Sequence, residues 1–163
     1  MFDQERTLFQ FNTEYLRQLL QGLEEERLWR APAPGVHPAG WILGHLAITL
    51  DYAIVLLGGT KICPSLWGGL FGPGSRDDVP TPSQPSFAEL REKLDTGASE
   101  VLNRLSSANP VLMAQNHKLP FEIIKQTLPT NGDLLAHLLT THMATHLGQL
   151  SVCRRAWGIG KIF

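Results

Sequence analysis

The chain has only two cysteines, Cys63 and Cys153, far apart in sequence. They form no Cys-X-X-Cys pair, so neither a thiolate zinc motif nor a disulfide framework is available, and two reduced thiols suit a cytoplasmic protein. A basic block is also lacking. Lys and Arg total 14 against 15 Asp and Glu, the formal net charge is −1, and the densest cationic pair is Arg154-Arg155. That composition excludes a nucleic-acid surface. No apolar run is clean enough to span a membrane, because the most apolar stretch, 41–58, carries His45 and Asp51. The N-terminus, MFDQERTL, is charged and has no apolar core of the secretory kind. Internal repeats and low-complexity tails are absent. What remains is 163 residues, expected to fold as a single domain, 1–163, around a real core.

Helical periodicity appears in four segments, separated by stretches rich in Gly and Pro. Asp3 to about Leu23 reads as a helix with a stripe of Phe9, Phe11, Tyr15, Leu16, Leu19, Leu20 and Leu23. A Pro-rich link, 28–40, precedes a second helix from about Ala39 to Leu57. Gly58 to Pro85 should contain no long helix, with Leu66, Trp67, Leu70 and Phe71 packing it down over the domain. Ser86 with Glu89 fits a capping box opening a third helix to about Leu105. A second long connection runs from Ser106 to Pro129, with 116–120 extended. Leu134 to Trp157 has no Pro and one Gly and reads as one long helix, capped by Thr130 or Asn131. The fold class is therefore all-α, a four-helix bundle with long crossover connections, its first two helices antiparallel across their short link.

Chemistry concentrates on the last helix. A spacing of four turns a helix by about 400°, so His142 and His146 share one face with Leu135, Leu138, Leu139, Gln149 and Cys153. Two imidazoles in a core stripe are costly unless their ring nitrogens are satisfied, and a metal ion satisfies them. The second helix offers His45, on the side of Trp41, Ile42, Thr49 and Tyr52. Facing helices of a bundle can place such residues in one site, and three protein ligands with a position left open is the pattern of catalytic metal centres. Counting at about 100° per residue turns His137 about 140° from His142 and Asp51 about 120° from His45. Neither is a candidate ligand. His117 lies in a polar context and is expected to face solvent.

Trp41-Ile-Leu-Gly-His45-Leu, followed downstream by His137-Leu-Leu-Thr-Thr-His142-Met-Ala-Thr-His146-Leu-Gly-Gln149-Leu, resembles the DinB-like (DinB/YfiT) superfamily. So does the lead-in from Leu28 to His37. The resemblance covers essentially the whole chain. It implies an up-down-down-up four-helix bundle, often a homodimer, with a divalent metal such as Zn, Ni or Fe on three His. Residue by residue, these are His45, His142 and His146. Relatives include S-transferases and isomerases that use low-molecular-weight thiols. Others serve ergothioneine-forming enzymes and carry Glu two residues after the last His, where this chain has Gly148.

The favoured expectation is a metal-dependent enzyme transferring a low-molecular-weight thiol to a small electrophile. The alternatives are a metal-dependent hydrolase and a non-catalytic metal or small-molecule binding protein of the same fold. No catalytic nucleophile or general base is singled out. Gln149, Trp41 and Thr49 are candidates for touching substrate or supporting the ligands. For Gln149 a bond to backbone across the helix interface is equally open, and for Trp41, core packing. Arg154 and Arg155 either meet an anionic thiol or cap the last turn of their own helix. The expected partners are a small-molecule substrate and a second copy of the chain, with no nucleic acid and no membrane.

Overall fold

The computed structural model describes residues 1–162. It is all-α, and among the described residues the only β feature is an isolated bridge between Asn116 and Thr130. The long pieces are α1 (Asp3–Leu20), α2 (Ala39–Leu56), α4 (Phe87–Leu105) and a composite final helix. Short helices α3 (Trp67–Phe71), α5 (Pro110–Met113) and α6 (Glu122–Thr127) occupy the two long connections. The main contacts join α2 to α4 and α1 to the composite helix, with α2 also against that helix and α1 against α4. Consecutive helices α1 and α2 thus pack chiefly on the later helices.

Local chemistry accounts for the boundaries. Ser86 Oγ accepts from Glu89 N at 3.2 Å while Ser86 N donates to the Glu89 carboxylate at 2.8 Å. That reciprocal capping box fixes the start of α4. Thr130 and Asp133 form the same device at the start of α7 (Asn131–His137). α2 is apolar on nearly every side, as expected of a helix at the centre of a core. It is the one described helix long and apolar enough to cross a membrane by length and composition, and 83% of it is buried in the fold.

The connection after α2 folds back over that helix. Gly44 makes this possible: a Cβ there would lie 2.6 Å from the Phe71 ring. Phe71 is fully buried, and burying such a side chain contributes roughly 1.5–3 kcal/mol. Trp67 packs edge-on against it at 5.5 Å between centroids. Asp51 anchors the same connection, accepting from Ile62 N at 2.7 Å and Cys63 N at 3.1 Å. Burial and that carboxylate push the Cys63 thiol up to about 12. Two expected core residues stay outside: Phe11 is 59% and Leu66 60% exposed. Each sits beside buried neighbours that carry the packing without it.

The final helix departs from the single regular helix that its sequence suggests. α7 ends at His137, a π-helical turn spans Leu138–His142, and α8 runs Met143–Ala156. A π turn closes i→i+5 instead of i→i+4 and leaves backbone carbonyls without regular partners. Asn12 of α1, buried, supplies them: its amide nitrogen lies 3.2 Å from both Leu139 O and Thr140 O. Carbonyls only accept, so the amide nitrogen is the atom that must face them. At the far end, buried Arg154 ties α8 to α1. Its guanidinium donates to Leu19 O at 2.8 Å and to Gln21 O. Arg154 therefore satisfies the last carbonyls of α1, not those of its own helix. Arg155 is exposed and donates to Ser151 O.

Candidate metal centre

His45, His142 and His146 come together: one ring nitrogen of each lies within 4.8 Å of the others. The ring centroids are 4.6 Å apart for His45–His146 and for His142–His146, and 5.2 Å for His45–His142. α2 contributes the first ring, the end of the π turn the second and α8 the third.

Hydrogen bonds fix which nitrogens carry lone pairs inward. His45 Nδ1 donates to Phe71 O at 2.7 Å, because a carbonyl can only accept. Its Nε2 is then bare. His146 Nδ1 donates to Gln149 Oε1 at 2.8 Å, leaving its Nε2 bare as well. Gln149 thus holds the ligand-like ring of His146. Its Oε1 is engaged on that ring and not on backbone across the helix interface. Thr49 Oγ1 donates to His45 O at 2.8 Å. Trp41 stacks on the His45 ring at 5.0 Å and 6°, with His37 stacked on Trp41 at 4.3 Å. The Trp41 indole is buried and donates to Ser75 Oγ. Trp41 therefore braces the centre from behind.

The charge state matches. Burial, then neighbouring His146, His45 and His137, pull His142 down to about 3. Burial and His45 pull His146 down to about 4. His45 is lowered chiefly by burial, against the opposing pull of its bond to Phe71. All three imidazoles are neutral near pH 7, the form that binds metals.

His45 Nε2 and His142 Nε2 stand 3.3 Å apart. Two ligands about 2.0–2.1 Å from one tetrahedral ion stand about 3.3–3.4 Å from each other. Among the described residues no hydrogen bond fixes the His142 tautomer, its Nδ1 being buried without a partner. Without a cation, at most one proton can lie between the two facing Nε2 atoms, and His146 adds a further lone pair. The donor set fits a borderline divalent ion such as Zn, Ni or Fe.

The π turn corrects the expected facing of His137, and a separate tertiary pairing corrects that of His117. An i→i+5 closure sets residues five apart nearly above one another, so the regular-helix count for His137 does not hold. His137 turns toward His142, ring centroids 5.7 Å apart, and bonds Thr141 Oγ1 at 2.6 Å. It is outside the cluster of three but beside it. His117 is buried, not solvent-facing: the 116–130 bridge folds it inward, and its Nδ1 accepts from Leu119 N at 3.1 Å. Cys153 points elsewhere, its thiol 3.6 Å from His37 O.

Sequence reasoning missed Asn12 and Phe71 as supports of the centre. A signal existed for the first: Asn12 interrupts the stripe of Phe9 and Leu16 with an amide, and a buried amide requires partners. Phe71 acts through its carbonyl, which no side-chain pattern reveals.

A cavity of about 400 Å³ opens on the His45 and His142 side, with His137, Thr49, Tyr52 and Lys61 in its walls. His146 is not among the lining residues. The arrangement can hold a cation from below and admit a small molecule from the cavity. A family model described as the DinB superfamily matches residues 8–150. No curated protein matches the chain.

Proposed function

The chain belongs to the DinB superfamily, and from that membership and the three-histidine cluster we propose that His45, His142 and His146 hold a divalent transition metal serving thiol transfer to a small electrophile. The observation that carries the metal is the 3.3 Å separation of the His45 and His142 Nε2 atoms, with the His45 ring oriented from behind by Phe71 O. When bound, the ion supplies Lewis acidity that lowers the pKa of a thiol or water. The protein's own residues do the rest. Phe71 O and Gln149 fix the tautomers of His45 and His146, so both present lone pairs without rearrangement. Trp41 excludes water from the back of the His45 ring. The cavity on the His45 and His142 side gives a substrate access to the open position. In the transfer, the thiol sulfur forms a bond to an electrophilic carbon, the thiol proton leaves to solvent, and the carbon's leaving group departs or its π bond takes the electrons.

The test is a panel of low-molecular-weight thiols added to the cobalt-substituted protein. A thiol that changes the cobalt absorption and is consumed with a small electrophile supports the reading. If no thiol perturbs the cobalt, transfer is refuted and hydrolysis becomes the reaction to assay. We place the protein in the cytoplasm as a homodimer; exposed Leu8 and Phe11 on α1 offer an apolar strip for a second copy. A monomer by light scattering at micromolar concentration removes the dimer.

A further inference from the structure

The cavity beside His45 and His142 has a lopsided chemistry. Ile48, Leu119, Phe121, Ile124, Leu134 and Leu138 give it a broad apolar wall. No Asp or Glu lines it, and its single formal charge is Lys61. Tyr52 stands in the same wall. Among the described residues, neither hydrogen bond nor ion pair engages the Lys61 ammonium or the Tyr52 hydroxyl. Burial raises the Tyr52 hydroxyl, so it remains a donor at neutral pH. The Thr49 hydroxyl is already spent on His45 O. Phe121 is 37% exposed although it lines the cavity, which leaves an apolar side chain at its opening.

We infer that this cavity takes a small organic acid with an apolar body, its carboxylate recognised by Lys61 and Tyr52. Two unengaged donors, one of them cationic, in a wall that contains no carboxylate, select an anion over an amine or a neutral polar group. The apolar walls select a hydrocarbon or aryl body over a polyhydroxylated one. The cavity is thus matched to the electrophile. This rests on the metal reading for what the acid does there, since His45 and His142 share the cavity, but its binding can be measured apart from it.

The experiment is calorimetric titration with octanoate, octanol and octylamine, which share one chain and differ in the head. It is run on zinc-loaded and metal-depleted protein, with Lys61→Met and Tyr52→Phe. Octanoate should bind about tenfold or more tighter than octanol, and octylamine weaker than both. Both variants should bring octanoate toward the octanol value and leave octanol unchanged. Lys61 is exposed, so its variant will fold. The preference should persist without metal. Equal affinity for octanoate and octanol overturns the inference. So does a preference seen only with zinc and untouched by Lys61→Met, because the acid then sits on the ion. A protein that takes up no zinc yet keeps the preference refutes the metal reading alone. One that binds zinc without the preference refutes this inference alone.

Discussion

Replacing Asn12 probes the link between the bundle and the metal centre from a residue that touches neither ligand nor cavity. The amide nitrogen satisfies two consecutive carbonyls of the π turn, Leu139 O and Thr140 O, at 3.2 Å each. Asn12→Leu removes the donor while keeping the branched side-chain skeleton, and leaves those carbonyls short of partners in the interior. An unsatisfied buried group costs about 1–3 kcal/mol. For a chain of this size that lowers Tm by about 2–4 °C per kcal/mol. Asn12→Asp should be worse at neutral pH, because a carboxylate then faces two carbonyl oxygens. Burial and those oxygens raise its folded pKa above the unfolded value of about 3.9. Its excess penalty over Asn12→Leu is therefore present at neutral pH and shrinks as pH falls through the folded pKa. Urea unfolding of both variants at neutral and mildly acid pH measures this difference and cancels the histidine titrations they share. If both variants stay within about 0.5 kcal/mol of the native chain, the π turn does not depend on Asn12 and the reasoning fails.

A chelator should lower the Tm of the metal-loaded protein and leave His146→Ala nearly unmoved, because a ligand bound only to the native state stabilises it; equal shifts in a thermal melt contradict this. In metal-free protein His142 and His146 are pulled from 6.5 to about 3 and about 4. The unfolded chain then binds protons that the native chain refuses, so stability is full above about pH 6.5 and falls as pH drops toward those values. Urea midpoints that stay flat from pH 7 to pH 4.5 refute it. Gly44→Ala should lose about 1–3 kcal/mol although Gly→Ala ordinarily favours a helix, because its Cβ would lie 2.6 Å from the Phe71 ring. Zinc affinity should fall with it, since Phe71 O orients His45; unchanged affinity and Tm oppose the claim. His137→Ala should retain its metal by elemental analysis, and loss of the ion would make His137 a ligand.

The fold was legible where side-chain chemistry repeats with helical period. The capping box at Ser86 is a local signal and is present as read, and of the two caps open for the last helix the structure uses Thr130, with Asp133 completing a second box. The cluster of three His was legible because i, i+4 spacing survives inside α8 and its junction, and because His45 sits on a helix whose phase is regular. The π turn was not, since it depends on an amide from α1 more than a hundred residues away in sequence. That single insertion reversed the facing of His137. The inward turn of His117 depends on the Asn116–Thr130 bridge, equally a tertiary pairing. Arg154 was misplaced for the same reason: its partners are the last carbonyls of α1, and no local pattern names them.

Elemental analysis of protein purified without an affinity tag or chelator, paired with X-ray absorption at the metal edge, bears most directly on the central claim. The account predicts one divalent transition metal per chain, with imidazole nitrogens at about 2.0–2.2 Å in its first shell. Substituting His45, His142 or His146 should each abolish it. Protein that contains no such metal, and takes none up when zinc or nickel is supplied, contradicts the account.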